Sequence, residues 1–192
     1  RLCLGGAHLL YGVEPDIAVF AKTLSNGYAM GAVIGKSEIM DACNRSFISS
    51  TYWTEGIGPA AALACVRKMK TIDVPKHLHA IGSQVADEWR AAGKRHQLPA
   101  IASGRPELLT LAFNHDEANA LMTCYTAAML RQGFLAGSMF NPMLSHQEVH
   151  LSKFFPVIDK VFEYLARALN DNTLHSIIGG PVKYSGFQRL AN

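Results

Sequence analysis

What this chain lacks narrows its class first. No apolar run approaches the roughly 18 consecutive residues that a membrane helix needs, so no membrane association is expected. The start carries no charged-then-apolar leader and no Met, so a cytoplasmic chain, or a piece of a longer cytoplasmic chain, is expected. The cysteines Cys3, Cys43, Cys65 and Cys124 are widely separated and form no C-x-x-C pair. In a cytosolic setting they read as free thiols behaving as small core residues. The histidines include no H-E-x-x-H; His77 and His79 are two apart, and His146 and His150, four apart, are placed to share a helical face. Neither pair has a third ligand nearby, so no metal site is expected. A strong charge of one sign is also missing. Eighteen Lys and Arg against 15 Asp and Glu leave +3, too scattered for a nucleic-acid footprint. Lys68 with Lys70, and Lys94 with Arg95, read as solvated helix faces.

What is present suits a globular protein. The 192 residues are 49% hydrophobic and 17% charged, enough chain for one domain or a domain and a half. Residues 17–22 and 31–35 are continuous apolar runs, read as short buried strands of a parallel sheet covered on both sides. Residues 37–44 read as a short helix capped by Ser37, and Gly58-Pro59 opens an Ala-rich helix over about 58–72. Leu78, Ile81, Val85 and Trp89 recur at helical spacing within a helix of about 75–95. Residues 107–114 read as a strand, followed by a helix over about 116–132 that Gly133 stops. Residues 138–144 suit a short strand before a last long helix at about 152–170, striped by Phe155, Ile158, Val161, Phe162, Leu165 and Leu169. From residue 74 onward this alternation suggests a small α/β layer with helices on one side. The tail from Gly179 to Asn192 shows little apolar pattern.

Lys22 stands out. It ends the run Asp16-Ile17-Ala18-Val19-Phe20-Ala21 and precedes the turn-like Thr23-Leu24-Ser25-Asn26-Gly27. An ammonium at the end of a buried strand must be paired or reacted, and an imine with an aldehyde cofactor is one way to hold it. Taken alone, the local pattern favours a lysine that merely opens a surface loop, its stem on apolar surface and its head in water.

The stretch from Gly5-Gly6-Ala7-His8 through Tyr11-Gly12-Val13-Glu14-Pro15-Asp16 to Lys22 resembles the class-III aminotransferases, fold-type I pyridoxal-phosphate enzymes. Within them it is most similar to the glutamate-1-semialdehyde aminomutase-like branch. There a Pro-Asp-(apolar)n-Lys run delivers the Schiff-base lysine ahead of a Gly-rich turn. Here Ser25-Asn26 replaces the common Gly-Gly, and Ala29 the usual Pro. A second block, Ser50-Thr51-Tyr52-Trp53-Thr54-Glu55-Gly56-Ile57-Gly58-Pro59, resembles the segment whose threonine binds the cofactor phosphate from the neighbouring subunit. The gapless register selects Thr51; a register built on Gly58-Pro59 would select Thr54. A hydroxyl bonded to nearby backbone remains the plain reading for either.

The resemblance implies an α/β fold: the C-terminal part of a PLP-dependent transferase fold, with the end of the large-domain sheet plus a small C-terminal α/β domain. Residues 1–73 would belong to the large PLP-binding domain and 74–192 to the small one. It implies pyridoxal 5'-phosphate as cofactor, Lys22 as catalytic and cofactor-binding residue, and Thr51 as a second cofactor-binding residue. It implies a transaminase acting on amine or amino-acid and carbonyl substrates, in a homodimer when full length. The alternatives are a 2,1-aminomutase and a non-catalytic structural or dimerisation module. The family's pyridine-binding Asp would lie ahead of residue 1, so the chain is expected to be part of a longer enzyme and a poor catalyst by itself. Arg105 and Arg189 are lesser candidates for a substrate carboxylate, Glu55 for a substrate contact, and His8 and Tyr11 for packing or hydrogen bonding near the strand entry.

Overall fold

The computed structural model describes residues 1–184 and divides into two compact units, Arg1–Lys76 and His77–Asn192. In the first unit, the short helix α1 (Ala7–Leu10) leads to β1 (Ile17–Ala21), a 3-10 turn (Lys22–Leu24) and β2 (Gly31–Gly35). Next come the short helix α2 (Ser37–Met40), a 3-10 turn (Asp41–Arg45) and the long helix α3 (Ile57–Thr71). In the second unit, α4 (Val74–Arg95) has its first turn across the division. It is followed by β3 (Ala100–Arg105), β4 (Leu108–Phe113), α5 (Ala118–Arg131), β5 (Met139–Phe140), α6 (Glu148–Asn170) and α7 (Leu174–Ile178).

β1 and β2 depart from the expected parallel, doubly covered strands. They pair antiparallel, from Ile17 opposite Gly35 to Ala21 opposite Gly31. Their connection, residues 22–30, is shorter than the roughly dozen residues a parallel crossover requires. Both strands are largely exposed rather than buried, with Val19, Val33 and Ile34 open to solvent. An exposed ion pair, Lys36 Nζ to Asp16 Oδ1 at 2.8 Å, closes the hairpin beside a backbone bond from Lys36 N–H to Asp16 O. Ser37 does not cap α2, because Lys36 takes the extended cap position and no side chain accepts there.

The second unit is built on a three-stranded antiparallel sheet ordered β3-β4-β5, with Ala100 opposite Phe113 and Leu109 opposite Phe140. β3 has no counterpart in the sequence reading. Its Ala-Ile-Ala-Ser-Gly-Arg is short of bulky residues, and only the pairing with β4 makes it a strand. α4 buries Ile81, Val85 and Trp89 against the same core as Leu109 and Leu111 of β4, Tyr125 and Met129 of α5, and Ile158, Phe162 and Leu165 of α6. Phe113, Tyr125 and Phe162 meet edge-on or tilted, with centroids 6.2 to 6.5 Å apart. Such ring pairs add to their area burial. Gly82 lets α4 close on the β3–β4 turn: a Cβ there would lie 1.8 Å from the Pro106 carbonyl oxygen.

α4 and α6 are also tied at the surface. Arg95 bonds Glu88 at 2.6 Å and Asp159 at 2.7 Å, and His96 reaches Asp159 at 2.8 Å. Arg95 is thus a network residue rather than one of a simply solvated pair. Of the cysteines, only Cys124 is fully buried; Cys3, Cys43 and Cys65 are half-buried free thiols, so the expectation of core residues holds for one of the four. α6 starts at Glu148, ahead of the expected 152, because His150 Nδ1 accepts the Gln147 N–H and closes the first turn. Arg189 lies outside the described residues.

Candidate active site

Lys22 leaves β1 as the first residue of the 3-10 turn, with φ at 53°, in the left-handed region. For a residue with a Cβ this conformation costs roughly 1–2 kcal/mol, so the surroundings must enforce it. They do so through its carbonyl, which accepts the N–H of Ser25 and that of Asn26. Asn26 and Gly27 follow at φ 49° and 112°, so the chain reverses on successive positive-φ residues. An Asn-Gly pair is suited to that conformation. The Lys22 side chain is exposed, and its ammonium has no hydrogen bond or ion pair among the described residues. The strand end therefore presents a free primary amine on a constrained backbone.

The turn is anchored from below. Ser25 is 2% exposed, and its hydroxyl donates to the Tyr28 carbonyl at 2.5 Å. Gly58 and Cys65 meet it from α3, with Ala62 buried between them along the helix. A Cβ on Gly58 would lie 2.9 Å from the Ala29 carbonyl oxygen, and the Cys65 thiol donates to the Thr23 carbonyl at 3.4 Å. Glu55, weighed as a substrate contact, instead caps α3. Its carboxylate accepts the N–H of Ile57 at 2.6 Å and that of Gly58 at 3.2 Å, a good use of a negative charge at a helix N-terminus.

Thr51 and Thr54 both lie in the exposed turn 51–54, within the same unit as Lys22. Neither hydroxyl bonds nearby backbone, and no hydrogen bond joins either to Lys22 among the described residues. His8 packs edge-on against Phe20 of β1 at 6.3 Å, beside the strand as expected, and Tyr11 is exposed.

Arg105 is engaged elsewhere. Its Nε lies 3.4 Å from Glu107, whose carboxylate also accepts from His79 Nδ1 at 2.9 Å. Burial works to raise the Glu107 pKa. The His79 hydrogen bond, a backbone hydrogen bond and the charges of Arg105 and His79 outweigh it and hold the carboxyl below its ordinary value. A cavity of about 400 Å³ opens in the second unit against Trp89, Phe134, Phe140, His146 and Phe154, and none of the expected site residues lines it. His146 precedes α6 while His150 lies within it, so the two share no helical face. Each uses Nδ1 to accept a backbone N–H, from Met143 and Gln147 respectively.

Sequence reasoning singled out Lys22 and the threonine turn and passed over Ser25, the one buried side chain of the lysine loop. The signal was present as a hydroxyl residue directly ahead of Asn-Gly, a turn-forming combination.

The geometry can be set beside known proteins. A family model described as Aminotransferase class-III matches residues 5–162. The 3-aminobutyryl-CoA aminotransferase of Cloacimonas acidaminovorans is 31% identical over 135 residues, covering 68% of this chain and 33% of that protein. A glutamate-1-semialdehyde 2,1-aminomutase of Clostridium botulinum is 30% identical over 173 residues, covering 80% of this chain and 40% of the relative. Among solved structures, the FumI protein of Sphingopyxis sp. MTA144, in its PLP internal aldimine form, superposes with a TM-score of 0.81. It is 22% identical and is matched over 93% of this chain and 44% of its own. The chain thus spans well under half the length of these relatives and has the fold of the corresponding part of a PLP-dependent transaminase. With the family model matching from just ahead of α1 to within α6, this chain belongs to the class-III aminotransferases.

Proposed function

We propose that this chain is part of a PLP-dependent transaminase that moves an amino group between an amine or amino acid and a carbonyl compound. Lys22 would be its cofactor-capturing and catalytic residue. The observation that carries the reading is the free amine of Lys22, held on a left-handed backbone at the end of β1 inside the family-matched region. That amine is the group an aldehyde cofactor requires, so the donor chemistry fits pyridoxal 5'-phosphate. When bound, the cofactor supplies an electrophilic carbonyl and an electron sink for carbanion charge. Lys22 Nζ would be the residue that holds the cofactor's aldehyde carbon, and its amine, when free, would be placed to carry the substrate α-proton. Thr51, exposed and unbonded in its turn, is the proposed phosphate contact, offered to a neighbouring subunit in a cytoplasmic homodimer. Residues 1–73 are read as the end of the large domain and 74–192 as the small one. The apolar exposed faces of β1 and β2 support further chain packed over them.

The experiment is capture of the cofactor by the purified chain, followed by borohydride reduction and peptide mapping. Label concentrated on Lys22, and lost in Lys22→Ala, is the expected result. Label spread evenly over surface lysines would sink the assignment and leave the structural-module reading. Relatives that are aminomutases keep a second activity open, the return of the nitrogen to a neighbouring carbon of one substrate. Turnover in the whole enzyme with a single substrate and no added amino acceptor would favour it over transamination.

A further inference from the structure

The first unit buries little, and what it buries lies directly under the lysine turn. Its buried residues are Ser25, Gly58 and Ala62. A segment whose strands stand open to solvent would not be expected to hide a serine, because an unpaired buried hydroxyl is costly. Ser25 is paired, through Oγ to the Tyr28 carbonyl at 2.5 Å, and its own N–H is one of two that grip the Lys22 carbonyl. The hydroxyl therefore closes residues 25–28 from one side while the amide closes residues 22–25 from the other. α3 supplies the floor: Gly58 admits the Ala29 backbone, Ala62 is small, and the Cys65 thiol holds the Thr23 carbonyl. A larger residue at Gly58 would push on that backbone directly.

We propose that Ser25 is a positioning residue for Lys22, acting with the Gly58–Ala62–Cys65 seam of α3 to hold the lysine backbone left-handed and its amine ready for a carbonyl. This rests on the reading of Lys22 as the cofactor-capturing residue. Ser25 touches neither cofactor nor substrate in this role. Its hydroxyl holds the Tyr28 carbonyl and so fixes the turn from which the Ser25 and Asn26 amides grip the Lys22 carbonyl. Losing the hydroxyl loosens that turn, lets the lysine relax toward ordinary φ values and lowers the fraction of chains in the capturing geometry.

The test compares the chain with its Ser25→Ala and Cys65→Ala variants. Two readouts are used: amide hydrogen exchange at Ser25 and Asn26 without cofactor, and Lys22 occupancy by borohydride-trapped PLP across a pH series. Ser25→Ala is expected to speed exchange of both amides and to weaken Lys22 capture about fivefold, the loss of roughly one hydrogen bond. The loss should hold across the pH series, with the melting of the second unit unchanged. Cys65→Ala, which removes only the thiol's bond to the Thr23 carbonyl and keeps the bonds within residues 22–28, should shift both readouts the same way by less. If the unaltered chain captures PLP on Lys22 and Ser25→Ala matches it in occupancy across the pH series, the positioning role is overturned while the lysine assignment stands. Faster exchange with unaltered capture counts against it equally. If the unaltered chain shows no preference for Lys22, the lysine assignment itself fails and the positioning role falls with it.

Discussion

Val19 in β1 is 73% exposed and Leu109 in β4 is 1% exposed, although both are aliphatic residues of short antiparallel strands. The difference lies in what the neighbouring chain can lay over them. In the second unit the segments flanking β3 and β4 are long amphipathic helices, and α4, α5 and α6 deliver Trp89, Tyr125 and Phe162 to one core with the sheet. In the first unit the segments flanking β1 and β2 are a one-turn helix, a tight loop and two short turns. Among the described residues the cover is partial: Ala18, Phe20 and Ala32 are half-buried, with His8 against Phe20, while Val19 and Val33 stay open. An apolar strand is buried only where a helix or second sheet within reach can pay the area back. The first unit spends its little burial on the turn after Lys22 and leaves its strands as surfaces.

That contrast can be broken or sharpened by substitution. Phe162→Ala should have the largest effect, removing about 3–5 kcal/mol from the second unit as transfer and cavity terms add. Urea unfolding followed by tryptophan fluorescence would measure it, and a loss under 1 kcal/mol would mean the core is not the shared cluster described. Acid comes next. Glu107 is held below its ordinary value, and so is Asp159, chiefly by the hydrogen bonds from His96 and Arg95. Below those ordinary values, 4.5 and 3.8, the unfolded chain binds more protons than the folded one. The stabilisation is therefore fully present above about pH 4.5 and is lost as pH falls through the folded-state values. Most of it should come from the nearly buried Glu107, since the more exposed Asp159 is screened by solvent. Melting temperature from pH 6 down to pH 3 checks this, and Glu107→Gln should flatten the upper part of the decline. Val19→Thr should have the smallest effect, within about 0.5 kcal/mol, because the side chain is already in water. A large loss of stability there would show that β1 is covered in solution.

Legibility followed the range of the interactions. α4 and α6 are readable because their stripes repeat every three to four residues and one face meets a core. α3 is readable from Gly58-Pro59 and its run of alanines. β3 is not, since its small residues gain strand character only from β4. The reading of β1 and β2 failed in direction and burial for the same reason: apolar runs look alike whether a layer covers them or not. At the candidate site, Lys22 and the 51–54 turn are singled out by motif. Ser25 was hidden because burial of a polar residue depends on α3, more than thirty residues away in sequence. Arg105 as a carboxylate binder could not be judged until Glu107 and His79 were seen beside it.

The sequence by itself determined the chemistry on offer: a lysine at a strand end, threonines in a turn, and helices whose periodicity demands a core. Those follow from local spacing and residue type, which any fold must respect. Only the tertiary structure decided which way β1 and β2 pair, which apolar faces stay open, and that Lys22 sits on a left-handed backbone clamped by Ser25 over α3. Those depend on contacts between segments distant in the chain, where loop length, close approach at Gly58 and Gly82, and competition for hydrogen-bond partners choose among arrangements that local pattern leaves equal.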